Sequence, residues 1–231
     1  MKILAGYRKS EETKRKIIES AAELFAENGY INTTVKNICE RSHVSVSRVN
    51  YHFHSKAELA EQICEMFLNN LYDAVKTLLE NTKEYSLLSE VMRLRCFVHI
   101  FHFEDENPYA KFYQELIETG TIGDAFTVVA RHMFMRAKGT FYVHQTEGLA
   151  ANMDLYARTY AGAFTAIVRT DEGQDTQETW TDRKDMFARL FMQLLDIPHD
   201  VQDAILKRAK EYDSQLGMEM LSLTEVRMYW R

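Results

Sequence analysis

The sequence is poor in the residues that interrupt helices. Its 231 residues include two prolines and nine glycines, too few for the turn-rich chemistry of a sandwich or barrel, and apolar residues recur mostly at helical spacing. There are three cysteines, Cys39, Cys64 and Cys96, without paired spacing. That excludes a disulfide framework and fits buried thiols in a reducing cytoplasm. No apolar run reaches the eighteen residues that a membrane span needs, and the apolar stretch in MKILAGYRKS is too short for a signal peptide. Enzyme motifs are missing too. The sequence has no phosphate-cradling glycine loop, no HExxH and no G-x-S-x-G turn. The expectation is an all-α protein, not an enzyme, in the cytoplasm, with no cofactor and no metal.

What is present is unevenly distributed. Hydrophobic residues make up 46% and charged residues 27%, an ordinary globular balance, and the net charge is −6. Residues 1–56 hold ten Lys/Arg against six Asp/Glu, while 57–231 hold eighteen against twenty-eight. A basic head on an acidic body is the electrostatic footprint of a nucleic-acid reader that does a separate job elsewhere.

Residues 29–59, GYINTTVKNICERSHVSVSRVNYHFHSKAEL, carry the most information. Val35, Ile38 and Cys39 share one helical face. Val46, Val49 and Phe53 continue a core-facing stripe on a second short helix. The link Arg41-Ser42-His43-Val44 allows only a sharp corner, so the pattern is a helix-turn-helix whose second helix suits a DNA major groove. Its other face carries Ser45, Ser47, Arg48, Asn50, Tyr51 and His52, where base edges and phosphates would be. Arg48 is the candidate for direct readout, because its planar fork matches guanine O6 and N7. Around this motif, a first helix is expected over 10–28 behind a loose basic arm. Gly29 supplies its C-cap, Thr33 caps the second helix, and Ser55-Lys56-Ala57-Glu58 forms a capping box. A long fourth helix follows to about residue 80.

On Gly29, Tyr30, Thr33, Thr34, Val35, Ile38, Val44, Ser45, Tyr51, His52, Phe53, Ser55, Lys56 and Leu59, all in register, the stretch resembles the DNA-binding domain of the TetR family of bacterial transcriptional regulators. His43 stands where that family usually has the turn glycine, and histidine tolerates positive φ less comfortably than glycine. The resemblance implies phosphate contacts from Thr33, Thr34, Tyr51, His52 and Lys56. It also implies a helix-turn-helix domain at 1–56 joined by the long helix to an effector-binding and dimerisation domain at 57–231.

Within that larger domain, helices are expected over 87–103, from Asn107-Pro108 to about 119, over 121–138, 148–169 and 176–195, and from Pro198 to about 216. The last fifteen residues are ambiguous. An aromatic and methionine supply including His99, His102, Phe103, Tyr109, Tyr113, Phe126 and Met133 suits a mostly apolar effector pocket. Cys96, His99 and His102 diverge too far around one helix to chelate a metal together. The family's dimer interface falls on 148–169 and 176–195. There Tyr156, Tyr160, Phe164, Ile167, Phe187, Leu190, Phe191 and Leu194 form apolar stripes that serve equally as an internal core. The function implied is a homodimeric repressor released from palindromic operator DNA by a small molecule. Alternatives are an activator, a non-transcriptional DNA-binding protein of the same fold, or an all-α small-molecule binder with vestigial DNA binding.

Overall fold

The structure, a computed structural model, describes residues 2–80, 85–102, 109–140, 152–168 and 177–231. The head comprises α1 (Lys2–Asn28), α2 (Val35–Ser42) and α3 (Val46–His52). Helix α1 begins at Lys2 rather than near residue 10, so the expected loose arm is helical backbone. Gly29, at φ 84°, ends α1, and its N–H donates to Phe25 O at 2.9 Å. Ile17, Ala21, Leu24 and Phe25 of α1 close over Ile38, Val49 and Phe53 to make the core of the head.

Helix α4 (Lys56–Leu79) is the spine shared by head and body. Its buried stripe of Leu59, Ile63, Phe67, Leu71, Val75 and Leu79 matches the apolar periodicity of the sequence. It packs against α1 near its start and then against α5 (Tyr85–His99) and α7 (Thr121–Thr140). A 3₁₀ turn (Ile100–His102) follows α5, and α6 (Ala110–Glu118) leads to α7. The described body is completed by α8 (Met153–Val168), α9 (Gln177–Leu194) and α10 (His199–Asp213). The Asn107-Pro108 helix start and the loop at 170–175 lie outside the described residues.

Aromatic side chains fill the body. Phe126 stacks on Phe164 at 4.5 Å and on Phe97 at 5.5 Å, and Tyr160 stacks on Phe187 at 4.4 Å. Each such pair adds roughly 0.5–1.5 kcal/mol beyond the burial of its area. Buried charge then ties α5 to its neighbours, since Arg95 pairs with Asp185 of α9 and with Asp213 of α10.

The chain ends in an antiparallel hairpin, β1 (Leu216–Met220) with β2 (Val226–Trp230), an addition to the helical plan. Met218, Met220, Val226 and Met228 pack toward the core, while Glu219 and Arg227 pair outside at 3.3 Å. Gly217 lies opposite Tyr229, and a Cβ there would overlap the Tyr229 ring. A tyrosine covering a strand glycine is a recognised means of pinning register. The hairpin lies along α4, where Asn70 donates to Thr224 O at 2.8 Å.

Candidate nucleic-acid interface

Helix α2 starts at Thr34, not Thr33. Thr34 Oγ1 accepts the Asn37 N–H, and Asn37 Oδ1 accepts the Thr34 N–H, so two otherwise unsatisfied donors are answered reciprocally. Thr33 is 1% exposed, and its hydroxyl engages Leu24 O and Gly29 O at 3.1 and 2.8 Å. It closes the end of α1 and has no face to offer a phosphate, which corrects the expected contact. The partner role of Asn37 was not foreseen, although Thr-x-x-Asn is a variant of the usual capping spacing.

His43 adopts the left-handed conformation, φ 54° and ψ 34°, that the family's glycine would occupy. Its N–H donates to Cys39 O, and the chain turns to place Ser45 as the N-cap of α3. Of the expected stripe on α3, Val49 and Phe53 are buried, but Val46 is 52% exposed. At about 100° per residue, Val46 lies within about 20° of Phe53 around the axis, so its exposure comes from its place as the first residue of α3 and not from its side of the helix. Ser45, Ser47, Arg48, Asn50 and Tyr51 are exposed, Tyr51 by 77%, and His52 is half-buried with its ring edge-on to Tyr51 at 5.1 Å. Ser45 and Ser47 hydroxyls lie 3.1 Å apart. Among the described residues Arg48 has no ion-pair partner, so its guanidinium stays available. In contrast, Arg41 on α2 is held by Glu27 at 2.7 Å and Glu23 at 3.2 Å and fastens α2 to α1.

Lys56 is not free for a phosphate. Its Nζ donates to Tyr30 O at 2.8 Å, Thr33 O at 2.9 Å and Ile31 O at 3.4 Å, with the ammonium 4.2 Å from the Tyr30 ring centroid. All three donors are used to hold the α1–α2 turn, and partial burial lowers its pKa while Glu115 opposes that. Half of the expected capping box at Ser55 forms, as Ser55 Oγ accepts the Glu58 N–H at 3.0 Å. Glu58 reaches one residue further back, to the N–H of His54 at 2.7 Å and to its ring at 2.9 Å.

The head meets the body through α6. Glu115, 84 positions along the chain, accepts the Ile31 N–H at 2.6 Å, and Lys111 donates to Asn28 O at 3.3 Å. Phe112 stacks on Phe25 at 5.3 Å. No local pattern marked Glu115, because its partner is a backbone group in a distant turn.

The expected pocket residues do not form one group. Tyr113, Phe126 and Met133 are buried in the body, and Phe97 bridges Tyr113 and Phe126. His99 faces Lys184 of α9, 3.5 Å from its Nζ, and Tyr109 donates to Leu221 O of the hairpin at 2.8 Å. Phe103 and the His102 side chain lie outside the described residues. Burial raises the thiol pKa of Cys64 and pushes that of Cys96 up to about 12, which leaves both inert at neutral pH.

The expected dimer stripe faces inward. Tyr160, Phe164, Ile167, Phe187 and Phe191 are buried within one chain, and the Tyr160 hydroxyl donates to Phe187 O at 3.1 Å. These residues are the core of the body, and Tyr156, Leu190 and Leu194 are half-buried at its margin. The outward face of α8 instead carries Leu155, Thr159, Gly162 and Ala166, beside Met186 of α9. Two apolar faces on one helix cannot be told apart by periodicity.

Comparisons with known proteins agree with this geometry. Residues 17–63 match the model of the bacterial regulatory proteins of the tetR family. The chain is 33% identical over 109 residues to the biofilm operon icaADBC HTH-type negative transcriptional regulator IcaR of Staphylococcus aureus, covering 46% of this chain and 54% of that one. It is 32% identical over 82 residues to the probable HTH-type transcriptional regulator YttP of Bacillus subtilis, covering 36% and 40%. The chain thus spans about half the length of the curated relatives it matches. Its fold is shared with the crystal structure of RolR in complex with resorcinol, at 18% identity and TM-score 0.54, covering 87% of this chain and 96% of that one. The head is thus similar in sequence to the tetR family of bacterial regulatory proteins over residues 17–63, and the outline of the chain shares the fold of RolR.

Proposed function

We propose that the protein is a homodimeric, DNA-binding transcriptional regulator, a repressor released from a palindromic operator by a small-molecule effector. The observation that carries this reading is the outer face of α3. Ser45, Ser47, Arg48, Asn50 and Tyr51 are exposed together while Val49 and Phe53 anchor the opposite side. A helix so mounted enters the major groove, with Arg48 reading a base edge and Thr34, Tyr51 and His52 fixing register on phosphates. Thr33 and Lys56 hold the scaffold instead. The negative regulation named for IcaR supports repression over activation. Nothing in the relatives' names points to an enzyme.

One such module binds weakly, and paired half-sites one helical turn apart call for two. The exposed face of α8 suits a second copy, since Thr159, Gly162 and Ala166 allow close helix approach and Leu155 and Met186 supply apolar area. The domains divide near residue 56, at the start of α4. An effector shifts DNA affinity only through unequal binding to two states of the body. The route to the head is α4 together with the Glu115–Ile31 contact of α6.

The test is a gel-shift series of the purified protein on its own upstream DNA, followed by selection from random sequence. Affinity should fall log-linearly with salt, and the selected sites should be palindromic. A folded, dimeric protein without salt-dependent binding or sequence enrichment would overturn the reading.

A further inference from the structure

Two arginines stand two residues apart on α5, both sealed inside the body, Arg93 at 1% exposure and Arg95 at 0%. Arg95 is answered by two carboxylates from different helices, Asp185 and Asp213, and leaves only Nε without a partner. Arg93 is answered far less well. Its Nη2 donates to Glu90 Oε2 at 2.5 Å, and the other oxygen of Glu90 accepts Nε of Arg136, on α7, at 3.2 Å. Nε and Nη1 of Arg93 are buried without a hydrogen-bond partner among the described residues. Burial lowers the Arg93 pKa, Glu90 opposes the fall and Arg136 adds to it. An ionised donor left unanswered in dry protein is costlier than a neutral one and calls for an acceptor.

The surroundings say what kind of acceptor fits. The Tyr72 ring of α4 lies against both guanidiniums, at 5.3 Å from Arg93 and 4.6 Å from Arg136. One turn along α5, Phe97 shares the face of Arg93 and contacts Phe126 at 5.5 Å and Phe164 at 5.0 Å. Tyr113 touches the same Phe97 ring at 6.4 Å, and its hydroxyl is a second buried polar atom with no hydrogen-bond partner among the described residues. Arg93 also lies within electrostatic reach of Tyr160, whose ring is 5.8 Å from Phe126 and 4.4 Å from Phe187, so the orphaned cation borders the aromatic cluster on that side. A hydrated inorganic anion gains little from such a wall, whereas an organic anion uses both parts.

We propose that the body binds an organic carboxylate, its carboxylate group on Nε and Nη1 of Arg93 between α4, α5 and α7, and its apolar part against Phe97, Phe126 and Phe164. The inference rests on the effector-released reading and names the chemical class of the effector. Charge-assisted bonds from the two orphaned nitrogens supply the orientation. Because Tyr72 is on α4, occupation of the site bears directly on the helix that also carries Lys56 of the head.

The test is calorimetric titration of the full chain with octanoate and benzoate, with octanamide and benzamide as neutral analogues of similar shape, and with inorganic phosphate. Carboxylates are expected to bind at least tenfold tighter than the amides. Arg93→Met should remove that preference and leave amide binding unchanged. Glu90→Gln should tighten carboxylate binding, because the competing carboxylate is gone. Equal binding of acids and amides, phosphate binding as tight as octanoate, no binding of any probe, or an unaltered preference in Arg93→Met would overturn the proposal. If Arg93→Met does not fold, Glu90→Gln decides, and unchanged or weaker octanoate binding overturns it. A gel shift on the same preparation separates the two readings. DNA binding without carboxylate binding removes only this site, and carboxylate binding without DNA binding removes only the regulator.

Discussion

In the head, helices of eight and seven residues hold a few buried apolar side chains and turn Ser45, Ser47, Arg48, Asn50 and Tyr51 outward. In the body, helices of up to 24 residues enclose stacked aromatics and take charged groups inside, among them Arg93, Arg95 and Glu90. The head owes its shape to backbone devices such as the Thr34 cap, the left-handed His43 and the Lys56 clamp on the α1–α2 turn. Short helices cannot stabilise themselves by propensity alone, so caps and turn contacts matter disproportionately there. The body rests on packing, where losing one ring opens a cavity. A reading surface needs exposed polar groups on a rigid mount, and a ligand-responsive core needs buried groups with more than one good arrangement.

Substitutions should separate the two regimes. The largest effect is expected at Phe164, fully buried against Phe97, Phe126 and Phe187. Phe164→Ala should cost about 3–5 kcal/mol in a denaturant melt. Next is Lys56→Met, which leaves the carbonyls of Tyr30 and Thr33 without their charged donor. A loss of about 1.5–3 kcal/mol in folding stability is expected. If Lys56 served only as a phosphate contact, that melt would not move.

Arg48→Ala should do the opposite of Lys56→Met. Stability should change by less than about 0.5 kcal/mol, while affinity for the selected operator falls by about 1–3 kcal/mol with relaxed preference at one base pair. Affinity lost equally across all sequences would assign Arg48 to phosphate. The smallest effect is at Glu58, whose pKa is lowered chiefly by the His54 N–H that it accepts. Because the folded value lies below the unfolded one, the stability it contributes is complete above the ordinary glutamate range. It is lost as pH falls through the lowered value. Glu58→Gln should therefore lower stability slightly at neutral pH and leave it unchanged in strong acid, so that the acid limb of the stability curve becomes shallower.

The helical plan, the helix-turn-helix and the long α4 were all legible in the sequence. Each is written in contacts only a few residues apart, as hydrophobic periodicity, caps and turn residues. His43 shows how far such reading goes, since its position in the motif pointed to a left-handed turn and the backbone has one at φ 54°. Local pattern reached its limit where one feature has two possible partners. Tyr160, Phe164 and Phe187 lie on apolar stripes that suit an inner core or a subunit interface equally, and only the packing of α8 and α9 against the body turns them inward. Lys56 matched a phosphate-contact position, but the fold brings three carbonyls to its ammonium first. The contacts of Glu115 with Ile31, of Arg95 with Asp185 and Asp213, and of Tyr109 with the hairpin join residues from 84 to 118 positions apart. The sequence by itself determined which segments are helical and which short helix can face DNA, because those depend on neighbours along the chain. Tertiary structure alone decided which polar groups are spent holding the fold and which, like Arg93, are left wanting a partner, because that depends on what the other helices bring within hydrogen-bonding distance.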